Sequence, residues 1–512
     1  MATKLTFISS HATGSAEKSN ERQSVRGSST EATKSTVRRK KEFKVRSSSS
    51  NVLSQPPRKT SILPKGLLRQ YSPTLIWQKS DSPKVISAYS TLTAAPLPSP
   101  PKNELQNTVA RRTIARNPDI FKHTTPIKVD AFEKNLKDHP NQPFVQSVVR
   151  SLRNGFWPWA DTANHPLPTT HDGSHQRQPT TSKVKTDFIR QQRDEEVELE
   201  RWSKPFGKKL LPGMHASPIT AVPKSTPGKY RLIIDQSRGP HALNSTIPKS
   251  QVKVKLDTIH DLGTTLIHVR KKHPKRKIVL IKSDVKSAYR LPPMHPLWQI
   301  KQAVSVDGQF HIDRCNTFGN RGGGWNWDSV ISLVNWIGTE KKKITDLLGY
   351  VDDNFGWEFA GNTKYYKPYK KHMPTKQTRL LQLLDELGIP HDENKQLSGP
   401  SLPILGYEVD ANAMTVKVPD EKKAKIIQSL RNYAHEGTSY TLKELQSVAG
   451  STSAVLNLYP QLRPGLRGLF DEMAGKEEPS TKLMVTKPVA RSLSKLADHL
   501  ERAQPVQIQQ KK

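Results

Sequence analysis

Tyr350-Val351-Asp352-Asp353 lies between two short apolar runs, 344–348 and 355–359, the pattern of two strands joined by a tight turn with acids at its tip. Neighbouring residues on a strand face opposite sides, so adjacent carboxylates serve one ion only where the backbone turns. A third acid, Asp284, ends the strand-like run 277–282 far upstream. An acid at a strand end, facing an acidic hairpin tip on a neighbouring strand, is an arrangement that holds divalent cations for phosphoryl transfer. A pair of acids in a turn, by itself, is equally what a solvated turn looks like.

Charge narrows the choice of partner. Lys and Arg number 81 against 46 Asp and Glu, a formal net charge of +35, which points to a polyanion and first to nucleic acid. Hydrophobic residues are only 34% of the 512 and Pro numbers 39, so part of the chain cannot pack. The first sixty residues hold 13 Lys and Arg against 4 Glu and no Asp, with no apolar period, and residues 1–125 are expected to be disordered. Within them Arg38-Arg39-Lys40-Lys41 reads as a nuclear import signal, a phosphate-binding arm or a solvated linker, giving a nuclear or cytoplasmic location. A single cysteine, Cys315, excludes a disulfide framework and a multi-cysteine zinc site. No apolar stretch is long enough for a bilayer and no signal-like segment follows Met1, so a soluble, non-secreted chain is expected.

Beyond residue 125 periodic patterns begin. Phe144, Val148, Val149 and Leu152 recur at helical spacing before Gly155, and Trp157-Pro158-Trp159 is then a packed corner or an exposed stacking surface. His165, His171 and His175 lack a metal-ligand spacing. Segments 219–224 and 230–235 surround Ser225-Thr226-Pro227-Gly228 as a hairpin, with Lys224 and Arg231 flanking its turn. Helical stripes follow: Ile259, Leu262, Leu266, Val269; then Trp327, Val330, Ile331, Val334, Ile337, ended by Gly338; then Leu380, Leu383, Leu384, Leu387, ended by Gly388. Gly322-Gly323-Gly324 lacks the Gly-Lys-Ser/Thr ending of a phosphate-binding loop. Thr441-Leu442-Lys443-Glu444 is a capping box within a region expected to be all helix.

Asp284-x-x-x-Ala288-Tyr289, Phe318-Gly319, Tyr350-Val351-Asp352-Asp353 and Leu405-Gly406 together resemble, in order and spacing, the motifs of reverse transcriptases. His139-Pro140-Asn141-Gln142-Pro143-Phe144-Val145 with Gly155-Phe156-Trp157-Pro158-Trp159 is similar to the lead-in of the tyrosine-recombinase (DIRS-like) retrotransposon polymerases. The likeness covers roughly residues 135–475. It implies an α+β right-hand polymerase with an antiparallel palm sheet: 126–200 a helical lead-in and polar loop, 201–418 fingers and palm, 419–475 a helical thumb or connection, and 476–512 a tail with one amphipathic stretch and a polar end.

The same resemblance implies an RNA-directed DNA polymerase using two Mg²⁺, with Mn²⁺ an alternative, and assigns roles. Asp284, Val285, Asp352 and Asp353 would bind metal, the three acids and Lys395 being catalytic; Lys395 would protonate the leaving pyrophosphate or be a plain surface lysine. Lys224, Arg231, Tyr289, Phe318 and Gly319 would meet the nucleotide, with Tyr289 under the sugar. Leu405 and Gly406 would grip the primer. Expected partners are a primed RNA or DNA template and deoxynucleoside triphosphates, with no membrane; ribonuclease H and recombinase activities would come from elsewhere. The rival expectations are a decayed or domesticated copy that only binds nucleic acid, and a nucleocapsid-like basic protein.

Overall fold

Among the described residues, helices built on these apolar stripes pack with three sheets of four or five strands and three strand pairs, mostly antiparallel, an α+β architecture. The structure, a computed structural model, describes residues 74–77, 86–177, 182–224, 227–249 and 256–510. Arg38-Arg39-Lys40-Lys41 lies outside these residues, which all belong to one compact unit. No helix among them is long and apolar enough to cross a membrane.

In chain order, β1 (Thr74–Trp77) and the short α1 (Ile86–Tyr89) precede α2 (Gln142–Asn154). Asn141 caps α2 by accepting from the Phe144 amide, and Gly155 leaves it at φ 92°, where a Cβ would strike the backbone of Met294 and His295. The lead-in is structural: His139 stands edge-on to Trp336 at 4.5 Å, Trp157 is buried against Trp298 at 5.3 Å, and Trp159 meets Trp325 at 4.7 Å. Packing therefore describes the tryptophan corner, as aromatic edge-to-face contacts favour.

The charged helix α3 (Lys183–Glu198) packs on the hairpin of β2 (Ile219–Pro223) and β3 (Tyr230–Ile234). A Thr258–Asp261 capping box starts α4 (Ile259–Lys272), which leads to β4 (Ile278–Asp284). Next comes α5 (Gly323–Trp336), buried on nearly all sides. Gly338 does not end it; a π-helical turn, Ile337–Lys341, carries it on, and Gly338 admits the Leu347 side chain.

The acid hairpin is β5 (Leu348–Tyr350) and β6 (Asp353–Phe359), followed by a second hairpin, β7 (Thr363–Tyr366) and β8 (Lys371–Pro374). Helix α6 (Thr375–Leu387) ends at Gly388 in the left-handed region, and β9 (Leu397–Gly399) completes a four-stranded antiparallel sheet in the order β9-β4-β6-β5. A second sheet starts with β10 (Ser401–Ile404), β11 (Tyr407–Asp410) and β12 (Thr415–Lys417), after which α7 (Asp420–Asn432), α8 (Leu442–Leu456) and α9 (Lys487–Glu501) pack together. β13 (Val506–Gln510) then pairs with β12 and, in parallel, with β1, giving the order β1-β13-β12-β11-β10.

Three further expectations are corrected. The chain up to residue 125 is not all disordered: Thr74–Trp77 forms β1, and from Ile86 the chain is folded, burying Ala88, Leu97, Ala110 and Phe121. These anchors sit in short helices and turns, so they leave no periodic signature. The tail beyond 476 is an integral part, since Leu493, Leu496 and Leu500 of α9 are buried and the polar end forms β13. The region 419–475 is not wholly helical, because Ser439–Thr441 pairs with Lys482–Met484.

A buried ionic cluster ties α3 to the segment after β4. Arg290, 6% exposed, donates to Glu196 at 2.8 Å, Asp313 at 3.0 Å and the Asn316 carbonyl at 2.7 Å. Its guanidinium stays charged despite burial because the two carboxylates outweigh the cost of desolvation. Arg290→Met leaves Asp313 in the core without its cation, while Glu196 keeps Arg201 at 2.8 Å, and should cost about 3–5 kcal/mol in urea unfolding; an unchanged midpoint contradicts this.

Candidate active site

Antiparallel pairing of β4 with β6 sets Asp284 opposite Asp353, and directly opposed residues share one face of a sheet. Both are buried, at 3% and 2% exposure. Asp352 occupies the turn between β5 and β6, where Val351 takes φ 56°, so the backbone does reverse at the acids. The Val285 amide donates to the Asp352 carbonyl at 3.0 Å, which fastens the turn to the end of β4, and Trp327 of α5 donates its indole N–H to the Val351 carbonyl at 2.7 Å. Asp284, Val285, Asp352 and Asp353 are thus brought together.

Two lysines answer this negative charge. Lys395, in the turn after α6, donates to Asp284 at 2.8 Å, and Lys282, two residues before Asp284 on the same face of β4, lies 3.5 Å from Asp353. Burial pushes the Asp284 carboxyl above its usual range and Asp353 adds repulsion, against the pull of Lys395 and Lys282. Burial disfavours the Lys395 charge too, yet its bond to Asp284 and the charges of Asp284 and Asp352 hold the ammonium above its ordinary value. Lys282 escaped the sequence reading, although its i,i−2 spacing from Asp284 could have shown it.

Beside the acids is an aromatic and cationic wall. Tyr289 stacks on Phe318 with centroids 5.5 Å apart, and the Arg231 guanidinium lies 5.1 Å from the Phe318 ring. Burial, then the charge of Asp352, raises the Tyr289 phenol. Val222 opposes Arg231 in the β2–β3 register, and Lys224 stands just past the end of β2. Burial lowers the Lys224 ammonium, and Arg231, Lys229 and Lys395 lower it further, which puts Lys224 in the same cationic group. Gly319 has φ 125°, and a Cβ there would come within 1.9 Å of the Ile234 carbonyl, so only glycine lets the Phe318 carbonyl accept from the Ile234 amide at 3.0 Å.

The glycine run is close packing rather than slack: Cβ atoms on Gly322 and Gly323 would meet the Pro158 carbonyl at 2.8 Å and Asn316 at 3.1 Å. Leu405 and Gly406, at φ 52° and 80°, form the two-residue turn between β10 and β11 on the other sheet. They are not placed in the acid pocket. Lys422 of α7 donates to the Gly406 carbonyl at 3.3 Å.

The acid hairpin is held from behind by a polar network absent from the sequence reading. Asp257, 0% exposed, accepts from the Gly349 amide at 2.7 Å and from the Ser87 amide and hydroxyl at 3.2 and 2.5 Å. Asn335 of α5 donates to Ser87 at 3.4 Å and accepts from Asn354, the residue after Asp353, at 2.7 Å. Four distant segments meet there, and lone polar residues in unpatterned sequence give no advance signal of that.

Hard oxygen donors suit Mg²⁺, but among the described residues no three His, Cys, Asp or Glu side chains could hold an ion by themselves. The set fits a Mg²⁺ that takes one or two carboxylates and completes its shell with substrate phosphates and water, its usual habit in such sites.

The sequence matches no family model and no curated protein. The structure is similar to foamy viral protease-reverse transcriptases. One, the dRH form in complex with ds DNA, aligns at 18% identity and TM-score 0.48 over 77% of this chain and 63% of that one. Another, with dsDNA, aligns at 18% and 0.47 over 77% and 75%; a third, with an RNA/DNA hybrid, at 18% and 0.45 over 75% and 47%. The chain thus spans less than two thirds of the first of these, and likenesses of this degree concern overall fold alone.

Ser87→Ala removes a donor from buried Asp257 and should cost about 1–3 kcal/mol, with faster amide exchange over 348–354; unaltered exchange there contradicts the network. Asp328 of α5 gives a pH test: burial, with Asp257 adding repulsion, pushes its carboxyl up to about 7. Against an unfolded value of about 3.9, its contribution to stability is full below about pH 4 and is lost as pH rises through the folded value. Asp328→Asn should flatten the pH dependence of Tm across that window; an unchanged slope contradicts this.

Proposed function

We propose that the chain is an RNA-directed DNA polymerase of retroelement type, catalysing template-directed nucleotidyl transfer. The observation that carries the reading is the joining of Asp284, Asp352 and Asp353 at one strand end, with Lys395 on Asp284 and the Tyr289–Phe318–Arg231 wall beside them. In this reading the β2–β3 hairpin belongs to the fingers, the β9-β4-β6-β5 sheet is the palm, and α7 and α8 belong to the thumb. Descent from the tyrosine-recombinase elements is a finer proposal supported by the lead-in motifs. A nuclear or cytoplasmic location is supported by the basic cluster alone.

Asp284 and Asp352, with Asp353 and Val285 beside them, would hold two Mg²⁺ or Mn²⁺. Such ions supply Lewis acidity that lowers the pKa of a primer 3′-hydroxyl and offsets charge on the triphosphate and leaving pyrophosphate. Lys224 and Arg231 orient the triphosphate by charge, and Arg231, braced on Phe318, does so from a fixed direction. Tyr289, half-buried and stacked on Phe318, would present a stiff ring that leaves no room for a ribose 2′-hydroxyl. Lys395 keeps its proton while paired with Asp284 and can yield it to pyrophosphate once that pair is broken. The Leu405-Gly406 turn would support the primer from the second sheet.

A second reading, a non-catalytic nucleic-acid binder of the same origin, is favoured by the lysine already seated on Asp284. Primer extension on an RNA template with Mg²⁺ separates the two. Wild type should extend, Asp284→Asn and Asp352→Asn should not, and Lys395→Ala should lower kcat about 10²-fold with little change in KM. Template binding without extension by wild type supports the second reading.

A further inference from the structure

The strand carrying Asp353 reaches α6 through the β7–β8 hairpin, which none of the roles above uses. Residues 361–376 contain five lysines and no Asp or Glu. One side of the hairpin is committed to the body of the protein. Tyr366 is buried and donates to Asp385 at 2.6 Å, Tyr369 hydrogen-bonds His391, and Lys371 pairs with Glu393 at 2.8 Å. The other side is open. Tyr365, 49% exposed, faces His372 across the ladder with ring centroids 5.4 Å apart. Lys367 and Lys370 are exposed in the connecting turn, and neither is ion-paired among the described residues.

The hairpin's turn adjoins the acids. His391, bonded to Tyr369, bridges to Val285, and Glu393, bonded to Lys371, lies two residues before Lys395 on the same turn that reaches Asp284. An aromatic pair flanked by unneutralised cations matches the chemistry of one ligand class: a single-stranded nucleic acid, whose bases are free to stack and whose phosphates follow the lysines. A duplex keeps its bases stacked inside and could use only the lysines.

We propose that the β7–β8 hairpin is a single-strand-binding element beside the candidate active site, with one base on the Tyr365–His372 pair and the adjoining phosphates on Lys367 and Lys370. It extends the polymerase reading by placing an unpaired strand next to the acids, and its binding chemistry can be measured without any catalysis.

Fluorescence anisotropy of the full chain is read with a mixed-sequence single-stranded oligonucleotide and with a blunt duplex of the same sequence, over a range of salt. Tyr365→Ala should weaken single-strand binding about fivefold or more and leave the duplex unchanged. Lys367→Gln with Lys370→Gln should reduce the slope of log K against log salt by about 1.4 on the single strand, the share of two phosphates. Unaltered affinity and slope overturn the proposal, as does an equal loss on both ligands with Tyr365→Ala. Asp352→Asn serves as the independent arm, since it should stop extension while the loss caused by Tyr365→Ala persists in its background. Wild type that fails to extend primers but shows the stated losses keeps the hairpin and removes the polymerase; extension by wild type with no losses does the reverse.

Discussion

Two carboxylates set opposite each other across antiparallel strands, both nearly out of water, repel more strongly than they would in solvent. Sheet pairing imposes this on Asp284 and Asp353, and the surrounding structure is arranged to tolerate it. Lys282 comes from the same strand by simple alternation, while Lys395 comes from a turn after α6 that is fixed to β4 by the Lys286 amide donating to the Pro390 carbonyl at 2.8 Å. The acid turn itself is held by backbone: Asp352 through its carbonyl, Val351 through Trp327, and Gly349 through Asp257.

That arrangement gives the pocket a resting state balanced by lysine. Asp284 is already paired with a neighbour, and desolvation, with the charges of Arg231, Lys229 and Lys395 adding to it, lowers the Lys224 ammonium. In the proposed reading, an incoming triphosphate would relieve the cations and bring oxygen ligands the protein lacks, so that anion and divalent ion would favour each other's entry. The stacked Tyr289–Phe318 pair and the close-packed Gly319 and Gly322-Gly323 segment are stiff, which suits a pocket that positions substrate rather than adapting to it.

Much of this was legible in the sequence where function coincides with local pattern. The acid turn, the strand ending at Asp284, the Lys224/Arg231 hairpin and the stripes of α4, α5 and α6 all follow from alternation, helical period and turn chemistry. Illegible were features made by tertiary meeting. Ser87, Asp257, Asn335 and Asn354 are unremarkable polar residues until four segments converge, and the Arg290 cluster joins residues far apart in the chain. The folded stretch from Ile86 and the strand Val506–Gln510 were missed for a related reason: short elements secured by hydrogen bonds and sheet edges carry no periodic apolar signal. Composition marked the first of these stretches as disordered and the second as a polar end, yet both are part of the folded unit.

The most direct test is the uptake of Mn²⁺, a paramagnetic substitute for Mg²⁺, by the purified chain, followed by electron paramagnetic resonance with and without a deoxynucleoside triphosphate and primed template. The account predicts weak uptake by the protein alone and cooperative uptake once triphosphate and primed template are present, lost in Asp284→Asn and Asp352→Asn. Tight binding by the protein alone would contradict the lysine-balanced pocket, and no protein-dependent uptake under either condition would contradict the metal-assisted account as a whole.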